Sequence, residues 1–123
     1  DRLVLADLSH LSEAVCNLLC NGYEAAVQAG REEPQVVLRV RAERMWTVLE
    51  VEDNGPGIPP ERQGNIFEPF VTSKNTNYNW GMGLYYVRKI VRSHLGRLRL
   101  ESRDGEGARF QIMLPLYDPR QKE

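Results

Sequence analysis

The chain is poor in cysteine and histidine, has no long apolar run, and carries no excess of charge of either sign. Its only cysteines are Cys16 and Cys20. Their spacing of four differs from the paired-cysteine zinc motifs. Both are therefore expected to be reduced, buried thiols in a helix, in a reducing, cytoplasmic setting. No stretch approaches the ~20 apolar residues that a membrane helix requires, and no signal peptide opens the sequence. The start at Asp1 reads as a cut inside a longer protein. Lys and Arg number 16 against 17 Asp and Glu, a formal charge of −1. No global field thus favours nucleic acid or an acidic membrane. Internal repeats and low-complexity tracts are absent. A length of 123 residues fits one domain with a single core in two layers.

Periodicity divides what is there. Residues 3–5 could be the remnant of a strand. Leu8 to about Ala29 reads as a helix, because Leu11, Ala14, Leu18, Gly22 and Ala25 recur at helical spacing; Gly30 is a natural stop. Val36 to Ala42 and Met45 to Glu52 alternate as two strands. A Gly/Pro loop and a short segment from Pro60 to Ile66 follow. Residues 70–82 hold Asn75, Asn77 and Asn79 with few aliphatics, which predicts a mobile loop. Met82 to His94 reads as a second long helix, with Leu84, Val87, Ile90 and Val91 on one side and Gly96 at its end. Leu98–Ser102 and Ala108–Leu114 alternate as a closing strand pair joined by a Gly-rich turn. Helices grouped on one face of a mixed, largely antiparallel sheet of about five strands make an α/β two-layer sandwich.

The chemistry concentrates at Asp53–Ile58, DNGPGI. Leu49, Val51 and Asp53 share the more apolar face of their strand, so a carboxylate lies in line with core residues. Burying a carboxylate without a donor is costly. No Lys or Arg is near in sequence, which points to a neutral donor such as a ligand amino group. Gly55 and Gly57 let the backbone turn sharply and approach something flat. On the first helix, Glu13, Asn17, Asn21, Glu24 and Gln28 share one face. Asparagine is a mediocre helix former, and two among Leu and Val suit an oxygen-ligand face for Mg²⁺; a solvated polar face is the plain alternative. Phe67 and Phe70 flank Glu68–Pro69 as a hydrophobic anchor beneath a loop. Lys74 could reach a phosphate as that loop closes. Gly81–Met82–Gly83–Leu84 opens the second helix, where amides and the helix dipole favour phosphate.

In this order, these motifs resemble the Bergerat-fold (GHKL) ATPases, and more narrowly the catalytic ATP-binding domain of sensor histidine kinases. EAVCNLLCNGYEA resembles the family's N box, DNGPGI its first glycine box, IFEPF its F box and NWGMGL its second glycine box. HLGRLRLES and GEGARFQIMLP resemble its final strands. The resemblance implies binding of ATP with Mg²⁺. It implies phosphoryl transfer to a histidine on a separate dimerisation domain, with a response regulator downstream. By it, Asn17 and Asn21 hold Mg²⁺ and phosphate, and Glu13 relays or polarises. Asp53 accepts from the adenine amino group. Gly55, Gly57, Ile58, Phe70, Gly81, Met82, Gly83 and Leu84 shape the cofactor pocket, and Lys74 is a lid lysine.

Four positions depart from the family pattern. Gly22 stands where Ala is common, Glu24 where some members have Lys, Asn79 where the second glycine box begins with Gly, and Ala108 where Thr is common. His10 and His94 have no phosphoacceptor context and are expected to be structural. The isolated chain is expected to be a monomer of a protein that is a homodimer at full length, cytoplasmic or the cytoplasmic part of a membrane-anchored sensor. SEAV, NGYE and GMGL also resemble the stand-alone anti-sigma-factor-type serine kinases. A non-catalytic nucleotide-binding interaction module is the third alternative.

Overall fold

The strand alternation and helical spacing appear almost at the expected bounds in the structure, a computed structural model that describes residues 3–68, 83–102, 105–118 and 120. Helix α1 spans Leu8–Gln28. The Asp7 carboxylate caps its start, accepting from the His10 amide at 3.1 Å; that bond holds the Asp7 carboxyl below its usual range. Strands β1 (Val36–Glu43) and β2 (Trp46–Asp53) follow, then a single turn α2 (Pro60–Gln63). Helix α3 spans Gly83–Ser93, and β3 (Arg97–Ser102) and β4 (Ala108–Pro115) close the chain. Met82, the expected first residue of α3, lies outside the described residues.

Among the described residues the sheet has four strands in the order β1-β2-β4-β3, all antiparallel. The expected count was about five. Residues 3–5 form no strand: the Tyr117 amide donates to the Leu3 carbonyl at 2.7 Å, but β4 has already ended at Pro115, so no ladder develops. Both long helices pack on one face. Leu18, Leu84, Val87, Val91, Phe110, Ile112 and Leu114 are buried there, with Leu49, Leu98 and Leu100 against them. Each such aliphatic contributes about 1.5–3 kcal/mol through burial. Phe67 meets Phe110 edge-on at 6.0 Å, the anchor expected of the IFEPF stretch; Pro69 and Phe70 are not described. The two helices are also pinned end to end, since His94 Nε2 accepts from the Asp7 amide at 2.9 Å while His94 Nδ1 lies 2.8 Å from the Ile90 carbonyl.

The two cysteines are exposed, contrary to expectation. One hundred degrees per residue puts Cys16 and Cys20 opposite Leu18 and Ala25 on α1, so helical phase outweighs the general tendency of cysteine to be buried.

The outer face of the sheet carries charge instead of a second layer. Glu50 is 4 % exposed there. Its carboxylate accepts from Arg41 Nη1 at 2.9 Å, Arg39 Nη1 at 3.2 Å and Gln111 Nε2 at 2.7 Å. Glu52 accepts from Arg39 and from Arg109, and Glu43 from Arg41 and Arg99. These bonds run across all four strands. Burial pushes the Glu50 carboxyl up, but the donors from Gln111, Arg41 and Arg39 outweigh it and hold it below the ordinary value of 4.5. A depressed folded-state pKa stabilises the fold above the unfolded value, and the contribution vanishes as pH falls through the folded value. Glu50→Ala should cost about 1–3 kcal/mol at pH 7, chiefly by leaving the buried Gln111 amide without its acceptor. Urea denaturation should give that loss, and the part owed to the Arg39 and Arg41 pairing should shrink as pH is lowered below 4.5 while the part owed to Gln111 persists.

Candidate functional site

Asp53 ends β2 on the helix-facing side and is 4 % exposed. Its Oδ1 accepts from the Gly55 amide at 2.8 Å. The residue of α1 facing it is Gly22. A Cβ there would lie 3.1 Å from Asp53 Cβ, 3.2 Å from its Oδ2 and 3.2 Å from Val36 Cγ2. The glycine that departs from the common alanine thus gives the carboxylate its room. This contact also sets Asp53 beside the polar face of α1, since Asn21 immediately precedes Gly22.

Asn21 is 4 % exposed, and its amide nitrogen has no hydrogen-bond partner among the described residues. Such a buried orphan costs on the order of 1–3 kcal/mol unless something binds it. A plain solvated polar face would not bury an amide in this way. Asn17 is half-buried one turn earlier, and Glu13 is exposed one turn before that. The Tyr86 hydroxyl of α3 donates to Glu13 Oε1 at 2.9 Å, and that bond raises the Tyr86 phenol above its usual range. The polar face therefore runs from deeply buried to solvent in two helical steps. Glu24, further along, is half-buried, and Gln28 is exposed.

The loop after Asp53 is held from several sides. Gly57 has φ +79°, in the left-handed region glycine favours. The Asn54 side chain accepts from the Gln35 amide at 2.9 Å and donates to the Glu33 carbonyl at 3.0 Å. Ser102 Oγ accepts from the Ile58 amide and donates to the Gly107 carbonyl, both at 2.8 Å. Gly107 has φ +89°, and a Cβ on it would lie 2.2 Å from the Asp53 carbonyl oxygen. Ala108 is the register partner of Asp53. The β3–β4 turn thus packs directly on the backbone of the carboxylate. Sequence reasoning missed Ser102 and Gly107 as supports; the paired glycines of GEG were the available signal.

Ile58 is 3 % exposed and Leu84 has no exposed surface. Both belong to the hydrophobic core, so they present almost no surface of their own to a ligand. Gly83 begins α3, where unpaired amides carry the positive end of the helix dipole. Phe70, Lys74, Gly81 and Met82 lie outside the described residues, as do Asn79 and Trp80. A cleft of about 600 Å³ near Glu52, Gln63, Ser102 and Gly107 does not include Asn17, Asn21 or Asp53.

Residues 6–118 match the family model described as histidine kinase-, DNA gyrase B- and HSP90-like ATPase. The chain belongs to this ATPase family. It is 37 % identical over 110 residues to the alginate biosynthesis sensor protein KinB of Pseudomonas aeruginosa, covering 89 % of this chain and 18 % of KinB. It is 38 % identical over 116 residues to the sensor protein FixL of Bradyrhizobium diazoefficiens, covering 94 % of this chain and 22 % of FixL. Among solved structures, the mycobacterial sensor histidine kinase MprB superposes with a TM-score of 0.76 at 31 % identity, covering 92 % of this chain and 74 % of that one. The full-length ShkA structure, in complex with AMPPNP, gives a TM-score of 0.76 at 28 % identity and covers 94 % of this chain and 23 % of that one. This ATPase domain thus spans about a fifth of the length of the KinB and FixL sensors, and is of the histidine-kinase catalytic type.

Two histidines of the ATPase domain are already engaged. His10 pairs with Asp7 at 3.3 Å, and both ring nitrogens of His94 have partners. The bonds of His94 fit the structural role expected of it. His10 also sits eleven residues before Asn21, about 16 Å along the helix axis.

Gly107→Ala should cost roughly 1–3 kcal/mol from the left-handed backbone alone, and more from the clash with the Asp53 carbonyl. Thermal melting should reveal that loss, and nucleotide affinity should drop beyond it because Asp53 is displaced.

Proposed function

We propose that this ATPase domain binds ATP with Mg²⁺ and presents the γ-phosphate to a histidine on a separate dimerisation domain of a two-component sensor. The observation that carries this reading is the buried polar pair at the α1–β2 contact, Asp53 against Gly22 with the orphaned Asn21 amide beside it. The Asp53 carboxylate, held at Oδ1 by the Gly55 amide, accepts from the adenine amino group. The orphaned Asn21 Nδ2 would donate to a phosphate oxygen, and the amide oxygens of Asn21 and Asn17 would hold the metal. No group of three or more His, Cys, Asp or Glu able to hold a metal occurs among the described residues. Two neutral oxygen donors fit Mg²⁺, which is commonly completed by phosphate oxygens and water. Mg²⁺ held there would supply positive charge to offset that of the phosphates.

The chain's own residues orient and exclude. The amides at the start of α3, near Gly83, receive phosphate oxygens. Lys74 supplies a cation to the γ-phosphate. Phe70, Gly81 and Met82 are assigned to the nucleotide pocket by the family resemblance alone, and Ile58 and Leu84 support it from the core. Glu13, with Tyr86 on it, polarises the approach of the acceptor. The work is positioning and charge stabilisation. A response regulator then takes the phosphoryl group from the acceptor histidine. The relatives reported above are sensor kinases, which favours a histidine over a serine acceptor.

Calorimetric titration tests the adenine contact. Asp53→Asn places a donor against a donor and should weaken ATP binding by about 1–3 kcal/mol; unchanged affinity would overturn the assignment. The metal contact has its own test, in which Asn21→Ala should remove the gain in ATP affinity given by Mg²⁺ while adenosine still binds. A variant that remains fully Mg²⁺-responsive would return both asparagines to a plain polar face. With γ-labelled ATP, the isolated chain should bind nucleotide without labelling itself, and a matching His-bearing domain should become labelled when added. Acid-labile phosphate on His10 or His94 would refute a separate acceptor, and absence of ATP binding would leave only an interaction module.

A further inference from the structure

Arg31 follows the end of α1 and was invisible to the reading of the sequence, being separated from Asp53 by more than twenty residues. Gly30 takes φ +79°, and the Arg31 amide bonds back to the Ala26 carbonyl at 3.3 Å. This turn aims the guanidinium at the glycine loop. Arg31 Nε donates to the Asn54 carbonyl at 2.6 Å, and Nη2 donates to the Gly55 carbonyl at 3.0 Å and the Gly105 carbonyl at 3.1 Å. One cation thereby joins the end of α1, the DNGPGI loop and the β3–β4 turn.

The Asn54 carbonyl and the Gly55 amide are two ends of the same peptide group. The guanidinium holds the carbonyl end, and the amide end donates to Asp53 Oδ1 at 2.8 Å. A cation at the carbonyl polarises the peptide and strengthens its N–H as a donor. We infer that Arg31 is a positioning residue for nucleotide recognition, fixing the Asp53 carboxylate through the Asn54–Gly55 peptide. The inference rests on the adenine-reading role proposed for Asp53. Its third bond reinforces the geometry, because the Gly105 amide donates to the Pro56 carbonyl at 2.5 Å. The planar fork of arginine suits three carbonyls; a lysine ammonium has the charge without the fork.

The test compares ATP with purine riboside triphosphate, which lacks the 6-amino group, on the full chain and on Arg31→Gln and Arg31→Lys. In Arg31→Gln, ATP affinity should fall about tenfold, the scale of one charge-assisted hydrogen bond. Affinity for the amino-lacking analogue should hold, so the preference for ATP narrows, and Arg31→Lys should fall between. In the nucleotide-free protein, the Gly55 amide proton should move upfield and exchange faster. Equal losses for both nucleotides, or an unmoved Gly55 amide, would reduce Arg31 to a merely structural clamp and overturn the inference. Should Arg31→Gln fail to fold, Arg31→Lys carries the same comparison. If the wild-type chain shows no preference for ATP over the analogue, the adenine role of Asp53 fails. The Gly55 resonance then still decides whether Arg31 acts on the carboxylate.

Discussion

Strand β2 buries two carboxylates on opposite faces, and the architecture is arranged around supplying both with donors. Glu50 points outward, Asp53 inward, three residues apart. A buried carboxylate is tolerable only with donors close at hand. Glu50 draws them from β1 and β4, through Arg39, Arg41 and Gln111. Asp53 draws one from its own loop, the Gly55 amide. The first set ties the strands into one sheet. The second ties the end of β2 to the loop on which a nucleotide is proposed to rest.

The two arrangements differ in what they leave over. The Glu50 cluster is closed: its three donors fill the carboxylate and span the strands. The inner site is arranged differently, because Asn21 brings a buried amide that the described residues do not satisfy. The outer face thus closes its polar network on itself, while the inner face combines the hydrophobic core with a buried polar group left unsatisfied by the described residues. Such separation is common where a rigid scaffold carries a binding loop.

Local pattern made much of this legible. Alternation alone put Asp53 in line with Leu49 and Val51, and helical phase alone put Asn17 and Asn21 on one face. The element bounds followed from the same periodicities and from Gly30. Tertiary neighbours were not legible. Nothing in a one-dimensional pattern says that Gly22 faces Asp53, that Gly107 lies on its carbonyl, or that Arg31 reaches two loops. The burial of Glu50 comes from arginine and glutamine side chains of neighbouring strands folding over the sheet, which alternation along one strand does not reveal. The burial of Cys16 and Cys20 was misjudged by weighing residue type above helical phase. The fifth strand failed because residues 3–5 meet the chain only after β4 has ended.

The contact at Gly22 has a consequence for how this domain can vary. In the middle of α1, glycine weakens the helix by about 1 kcal/mol relative to alanine. The methyl group that would recover that energy would stand 3.1 Å from Asp53 Cβ and 3.2 Å from Oδ2. Helix strength and carboxylate position therefore compete for the same few tenths of an ångström. A search for thermally hardened variants would meet a trade-off here: the methyl that stiffens the helix would also nudge the group proposed to read the base.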